Sequence, residues 1–172
     1  MPLQVNFDVT LKAVETTIRA SGTSEAVDTL RHVVEMLTGT GAGQADLTYY
    51  GNRTVAGGAT DDIDVAGVLA RPLGGVLTAA EIVAIVIVNR AADGTANTTN
   101  LTLGGGTNPV VGYMGGTTPT IGPIRPNGVR VLLETDVAGL CAVTAGTGDI
   151  LRVANSAGAT ATYQIAIIAR SA

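Results

Sequence analysis

The sequence predicts an all-β fold, either a sandwich or a barrel. Three observations support this prediction. Apolar and polar residues alternate strictly near the N-terminus, short β-like runs follow one another from residue 51 onward, and only one segment has helical spacing. Clusters of Gly, Asn, Asp or Pro separate the runs, as expected for turns between strands. Many short strands with little helix between them favour a sandwich or barrel over an α/β fold.

The first element is a predicted half-buried strand over residues 3–11. Polar residues separate five apolar ones, which therefore share one face because side chains on a strand alternate between its two sides. The five apolar residues are Leu3, Val5, Phe7, Val9 and Leu11.

The next segment, Ser24 to Leu37, has two interpretations. Ser24 is a suitable helix cap, and apolar residues recur behind it at helical spacing. They are Val27, Leu30, Val34 and Leu37. The alternative is a strand over residues 29–38 that enters the glycine-rich turn at 39–41. A turn and another strand-like segment follow directly, which favours the strand.

The later β-like runs predict the body of the fold. They cover residues 47–50, 53–56, 62–66, 82–90, 98–103, 129–134, 141–144, 150–154 and 160–169. The β-branched run 82–88 is typical of a central strand buried on both faces. Residues 145–149 and 155–158 are predicted hairpin connections. Residues 104–128 are predicted to be an exposed loop, because their prolines exclude a central strand over much of the segment.

The length suits one domain, or one domain with an added arm. We divide the chain into residues 1–38, an N-terminal arm or strand with the ambiguous segment, and residues 39–172, a β-sandwich domain. The chain has 46% hydrophobic and only 14% charged residues, and a net charge of −4. A surface this poor in charge favours self-association unless partners cover it. There is no basic cluster for nucleic acid, no apolar run long enough to cross a membrane and no signal-peptide pattern.

The search for catalytic, cofactor or metal sites predicts none. The one histidine, His32, lacks a companion nucleophile and is interpreted as a surface or interface residue. The one cysteine, Cys141, has apolar neighbours and is interpreted as a small core residue. It also excludes an internal disulfide and a multi-cysteine zinc site.

Acidic and glycine-rich segments are the remaining candidates for a site. Asp61, Asp62 and Asp64 lack the rest of a calcium loop, so we expect Ile63 and Val65 inward and the three carboxylates outward. Glu134 and Asp136 are an unconvincing acid pair for sugar hydrolysis, because aromatic platforms are missing. The stretches 39–44 and 104–109 lack the lysine of a phosphate loop, and turn glycines explain them.

An ordered series of motifs over residues 39–168 resembles small virion structural proteins of tailed bacteriophages. The motifs lie at 39–46, 52–54, 61–67, 101–105, 125–128, 143–155 and 163–168. The resemblance implies a capsid cement or decoration protein with a jelly-roll-like β-sandwich. The first 38 residues depart from the pattern, which leaves the partner of the arm open.

The resemblance and composition together predict a non-enzymatic protein on the capsid exterior, made in the host cytoplasm. Its expected partners are the major capsid protein and copies of itself, as a dimer or trimer, with neither nucleic acid nor membrane. The alternative is a tail or fibre component, such as a tail-tube, baseplate or receptor-binding module.

Overall fold

The structure is a computed structural model that describes residues 2–172. Within these residues every regular element is a β-strand, so the predicted all-β class is confirmed. No helix in this part of the chain has the length and apolar character needed to span a membrane. The strands are β1 Val5–Arg19, β2 Gly22–Met36, β3 Leu47–Val55, β4 Thr60–Asp64, β5 Glu81–Val88, β6 Leu101–Gly104, β7 Thr120–Ile124, β8 Val129–Leu133, β9 Cys141–Ala142, β10 Ile150–Asn155 and β11 Ala161–Arg170.

The strands form three antiparallel sheets. β1 and β2 make a two-stranded ribbon by themselves. One larger sheet has the order β4-β10-β6-β7, and the other has the order β3-β11-β5-β8, with β9 also pairing with β5. The two larger sheets share one core, which gives a sandwich-like arrangement.

Strand pairing in the sandwich is nested. If β9 is set aside, the first strand (β3) pairs with the last (β11), and the second (β4) with the second last (β10). The third (β5) pairs with the sixth (β8), and the two middle strands, β6 and β7, pair with each other. The chain between residues 47 and 170 is therefore one long antiparallel ribbon folded over into two layers.

The core between the sheets is mostly aliphatic, and it also contains Tyr49, Tyr113 and Tyr163. In β11 the alternate residues Tyr163, Ile165 and Ile167 point into it and are almost fully buried. Ile168 lies on the outer face and Ala169 in the core, as strand alternation requires. A β-bulge between these two residues leaves Val83 of β5 without a partner in β11, and both Val83 and Ala84 lie on the outer face. The predicted central strand over residues 82–88 is confirmed, because β5 lies between β11 and β8.

The two N-terminal predictions are both confirmed as strands, and both strands are longer than predicted. The strand predicted over residues 3–11 runs as β1 to Arg19, and the ambiguous segment lies within β2, which begins at Gly22. β2 pairs along its whole length with β1, from Val5 opposite Met36 to Arg19 opposite Gly22. The two strands therefore form a single long hairpin, hereafter the hairpin arm.

Three predictions about connections are wrong. Residues 145–149 and 155–158 are not hairpin turns, because the strands on either side of each belong to different sheets. The chain needs these segments to cross between the layers of the sandwich. Residues 104–128 are not one loop, because they contain β7, an edge strand that pairs with β6. Pro123 is compatible with this edge position, where one side of the strand lacks a partner.

Candidate binding surface

The hairpin arm is anchored to the sandwich only at its base. Met36 is fully buried against Ala45, Val83, Ala84 and Ile168, on the outer face of the sheet formed by β3, β11, β5 and β8. Leu3, Val5, Phe7, Val34 and Leu133 pack around this cluster. The hydroxyl of Thr38 donates a 2.7 Å hydrogen bond to the carbonyl of Leu3 and closes the base.

Beyond this base the arm is exposed to solvent, and we call this part the bare segment. Every residue from Asp8 to Val33 is exposed. An isolated two-stranded hairpin is at best marginally stable in water, because each residue has only one strand neighbour and no core behind it. An arm of this length therefore gains from a surface that covers it.

Apolar side chains of the bare segment form two stripes on opposite faces of the ribbon. The lower stripe, Val9, Leu11 and Leu30, continues the face of the anchored residues. The upper stripe, Val14, Ile18 and Val27, lies on the other face nearer the tip. Leu11 is 64%, Leu30 62% and Ile18 85% exposed.

The polar side chains of the lower half occupy the face opposite the lower stripe. Arg31 donates to Asp8, with Nη2 2.7 Å from Oδ2 and Nε 3.2 Å from Oδ1. Hydrogen bonds from Arg31 and Thr10 lower the pKa of Asp8. The lower half of the arm is therefore amphipathic, with an ionic face and an apolar face.

A second uncovered apolar surface lies on the sandwich. Cross-strand partners share a face of a sheet, and Ile85 and Ile87 of β5 point into the core, so their neighbours point outward. We call these outward residues the sheet patch: Tyr50, Val86, Val88, Val129, Val131 and Ala166. Tyr50, Val129 and Val131 are 52%, 50% and 42% exposed.

The sheet patch continues the surface on which the arm is anchored. Ala84 and Leu133 pair with each other one step along the same face, and the base of the arm covers both. The arm thus shields one end of an apolar sheet face and leaves the other end open.

His32 and Cys141 differ in their exposure to solvent. His32 is exposed on the lower-stripe face, opposite Val9. Cys141 is buried in the main core, and burial raises the pKa of its thiol to about 12. In residues 2–172 no group of three or more His, Cys, Asp or Glu side chains is arranged to hold a metal ion.

The predicted outward direction of the three aspartates is wrong for Asp61. Asp61 shares a face with Ile63 and Val65, since strand periodicity puts residues two apart on one side. Its carboxylate bridges the two sheets, with Arg53 Nη2 2.6 Å from Oδ1 and the Tyr163 phenol oxygen 2.6 Å from Oδ2. Burial raises the pKa of Asp61, but the hydrogen bonds from Arg53 and Tyr163 outweigh it and the pKa is lowered overall.

The remaining acidic candidates also have structural roles. Asp62 forms an ion pair with Arg152 at 2.6 Å, and Asp64 accepts a hydrogen bond from the amide of Ala66. Asp136 accepts one from the amide of Ala138 in a turn, and Glu134 is exposed.

The glycine-rich stretches take turn conformations. Gly39 and Gly43 have positive φ angles, and the side-chain carbonyl of Gln44 accepts a hydrogen bond from the amide of Gly41. Gly104 has a φ of 99°, and an added Cβ there would lie 2.1 Å from the Tyr113 hydroxyl. Turn geometry and close packing thus account for glycine at these positions.

Comparisons with known proteins add no relative. No protein-family model, curated protein or solved structure matches this chain. We therefore infer its function from the geometry of the arm and of the sheet patch, together with the motifs of residues 39–168.

Sequence reasoning predicted the first strand and an N-terminal arm, but it missed the pairing of two strands that makes the arm a hairpin. The signal was present as mirror symmetry about residues 20 and 21. Val5 mirrors Met36, and Phe7 mirrors Val34, as Leu11 does Leu30 and Val14 does Val27. Val27 and Leu30 lie on opposite faces of the ribbon and are three residues apart. This step of three produced the misleading helical spacing.

Proposed function

We propose that this chain is a non-enzymatic capsid cement or decoration protein of a tailed bacteriophage. It binds the major-capsid lattice on the outside of the head, and it associates with one or two further copies of itself. The resemblance over residues 39–168 supports the virion assignment. The observation that carries the proposal is the arm, whose apolar side chains are exposed although the sandwich that anchors it has a packed core.

We also propose that the sandwich is a jelly roll. In that fold eight strands pair first with last, second with second last, and so on inward, in two four-stranded layers. The orders β3-β11-β5-β8 and β4-β10-β6-β7 support this assignment, with β9 as an addition beside β5. Jelly rolls are frequent in viral capsid proteins, which is compatible with the virion role.

The chemistry of the surface suits lattice binding. The two stripes of the arm are aliphatic and so is most of the sheet patch, and burial of apolar surface contributes about 2.5 kcal/mol per 100 Å². A capsid presents the same site many times, so weak contacts of an oligomer add through effective concentration. A few apolar contacts per copy are therefore enough to strengthen a shell under internal pressure.

The proposal is tested on purified particles stripped of this protein. We expect stripped heads to release their DNA at a lower temperature than intact heads, and we expect added protein to restore the original temperature. If stripped and intact heads release DNA at the same temperature, the stabilising role is wrong.

Location on the particle is tested separately. Gold-labelled antibody against this chain should mark heads. Labelling confined to tails would replace the proposal with a tail or fibre component.

A further inference from the structure

The arm and the sheet patch are matched in chemistry but do not cover each other within one chain. The lower stripe is exposed from Val9 upward, and Val129 and Val131 of the patch are exposed as well. Both surfaces are aliphatic, and both extend from the same buried cluster around Met36 and Ala84. The arm of one copy and the sheet patch of another are therefore suited to cover each other.

The size of a stable interface favours an arrangement in which each chain both gives an arm and receives one. The bare segment has twelve residue pairs, from Asp8 opposite Val33 to Arg19 opposite Gly22. At about 3.3 Å per residue and about 10 Å of width, one face of the ribbon covers roughly 400 Å². A stable interface buries about 800 Å² on each partner. One arm on one patch falls short, whereas a chain that gives an arm and also receives one reaches this size.

Charge favours the same arrangement. The distal part of the arm, residues 13–28, carries Glu15, Glu25 and Asp28 against the single Arg19. Arg90 lies two residues beyond Val88, at the end of the sheet patch that is remote from the anchored base. It forms no ion pair within residues 2–172, although Asp93 lies near it.

We infer that the arm of each copy lies on the sheet patch of a neighbouring copy, in a closed dimer or trimer where every chain gives one arm and receives one. The lower stripe then covers the sheet patch, and the acidic distal part of the arm lies near Arg90. This inference deepens the self-association in the proposed function and does not require the capsid.

The first test is the mass of the purified chain by light scattering, with matched variants of the arm. We expect two or three chains per particle for the native protein. Leu30→Asp puts a charge into the lower stripe and should weaken association by about 30-fold or more, the loss typical of a central interface residue. Thr29→Asp puts the same charge one residue away on the opposite face and should leave the mass unchanged. A native monomer, or equal effects of the two variants, overturns the inference.

The second test examines the receiving surface. Val131→Asp, in the sheet patch, should dissociate the oligomer, whereas Val68→Asp, at an exposed valine in a loop, should not. Mixing the Leu30→Asp and Val131→Asp chains restores one intact contact, because the second chain keeps its arm and the first keeps its patch. We expect the mixture to associate more tightly than either variant alone and more weakly than the native chain, and a mixture no tighter than the separate variants counts against arm exchange.

The third test locates the contact directly. A photo-reactive amino acid at position 30 should cross-link to peptides from β5, β8 or β11 of another copy. Cross-links from arm to arm overturn the inference, as do cross-links only to capsid protein. If the cross-links reach only capsid protein and added protein still restores the heat resistance of stripped heads, the proposed function holds. The reverse result, arm-to-patch cross-links in a protein that does not bind heads, removes the proposed function alone.

Discussion

The phenol oxygen of Tyr163 donates a 2.6 Å hydrogen bond to Oδ2 of Asp61, and the two residues come from opposite sheets of the sandwich. Arg53, from the same sheet as Tyr163, holds both oxygens of that carboxylate. The hydroxyl of Tyr49 accepts a 3.1 Å hydrogen bond from Arg53. A polar cluster thus joins the two layers where the rest of the core is aliphatic.

Removal of the Tyr163 hydroxyl should destabilise the sandwich. Tyr163 is fully buried, so Tyr163→Phe leaves the Asp61 carboxylate without one of its donors and without water to replace it. We expect the free energy of unfolding in urea to fall by about 1–3 kcal/mol. Tyr50→Phe is the matched control, because its hydroxyl bonds Gln164 at the exposed surface. Its effect should stay within about 0.5 kcal/mol, and equal losses for both variants would contradict a cross-sheet role.

The same cluster predicts a loss of stability in acid. The pKa of Asp61 is lowered below its ordinary value of 3.8 in the folded chain, because the hydrogen bonds from Arg53 and Tyr163 outweigh the opposing effect of burial. The unfolded chain therefore takes up this proton at a higher pH than the folded chain, and protonation favours unfolding. The stabilisation is complete above about pH 4 and disappears as the pH falls through the folded pKa.

Asp61→Asn isolates this contribution. Its stability should depend less on pH below about 4 than that of the native chain, although Asp62 still contributes through Arg152. Urea unfolding at a series of pH values gives the two curves. Parallel curves would show that Asp61 does not contribute to the acid sensitivity.

The bare part of the arm should be dispensable for folding of the sandwich. A chain in which Phe7 joins Val34 through an Asn-Gly turn lacks residues 8–33 but keeps the buried base cluster. We expect its melting temperature by circular dichroism to stay close to that of the Leu30→Asp chain, which keeps the arm but not the association, because the deleted residues are all exposed within one chain.

The base of the arm should behave in the opposite way. Met36→Ala leaves a cavity under the base, since Met36 is fully buried. We expect a loss of about 2–5 kcal/mol in the free energy of unfolding. A smaller effect than that of the 8–33 deletion would contradict the division into an anchored base and a bare arm.

Local patterns predicted the sandwich strands because burial there follows a simple period. The run 82–88 is aliphatic throughout and lies at the centre of its sheet, where the core covers its inner face and the base of the arm covers one end of its outer face. The connections were mispredicted because a turn sequence does not record which sheet the next strand joins. Residues 145–149 make a tight turn, closed by Thr144 and Gly148, yet link different layers.

The candidate surface was predictable only in part. The alternation of Val5, Phe7 and Val9 predicted an apolar strand face, but it indicated burial where the structure leaves Val9 exposed. Sequence alone does not say whether an apolar face meets the same chain or another. The sheet patch was not predicted for a related reason. Val86 and Val88 belong to a run whose sequence predicts burial on both faces, but the arm covers only one end of the outer face.

Cys141 should be unreactive in the folded protein. Burial raises the pKa of its thiol from an ordinary value of 9.0 to about 12. Because the thiolate is the reactive form, this shift alone reduces the thiolate fraction near pH 8 by about 1000-fold. We expect no reaction with a disulfide reagent until urea unfolds the chain, and then one thiol per chain. Val68→Cys supplies an exposed thiol as the control, which should react at once. Rapid reaction of the native chain would show that the core around β9 opens far more readily than its packing indicates.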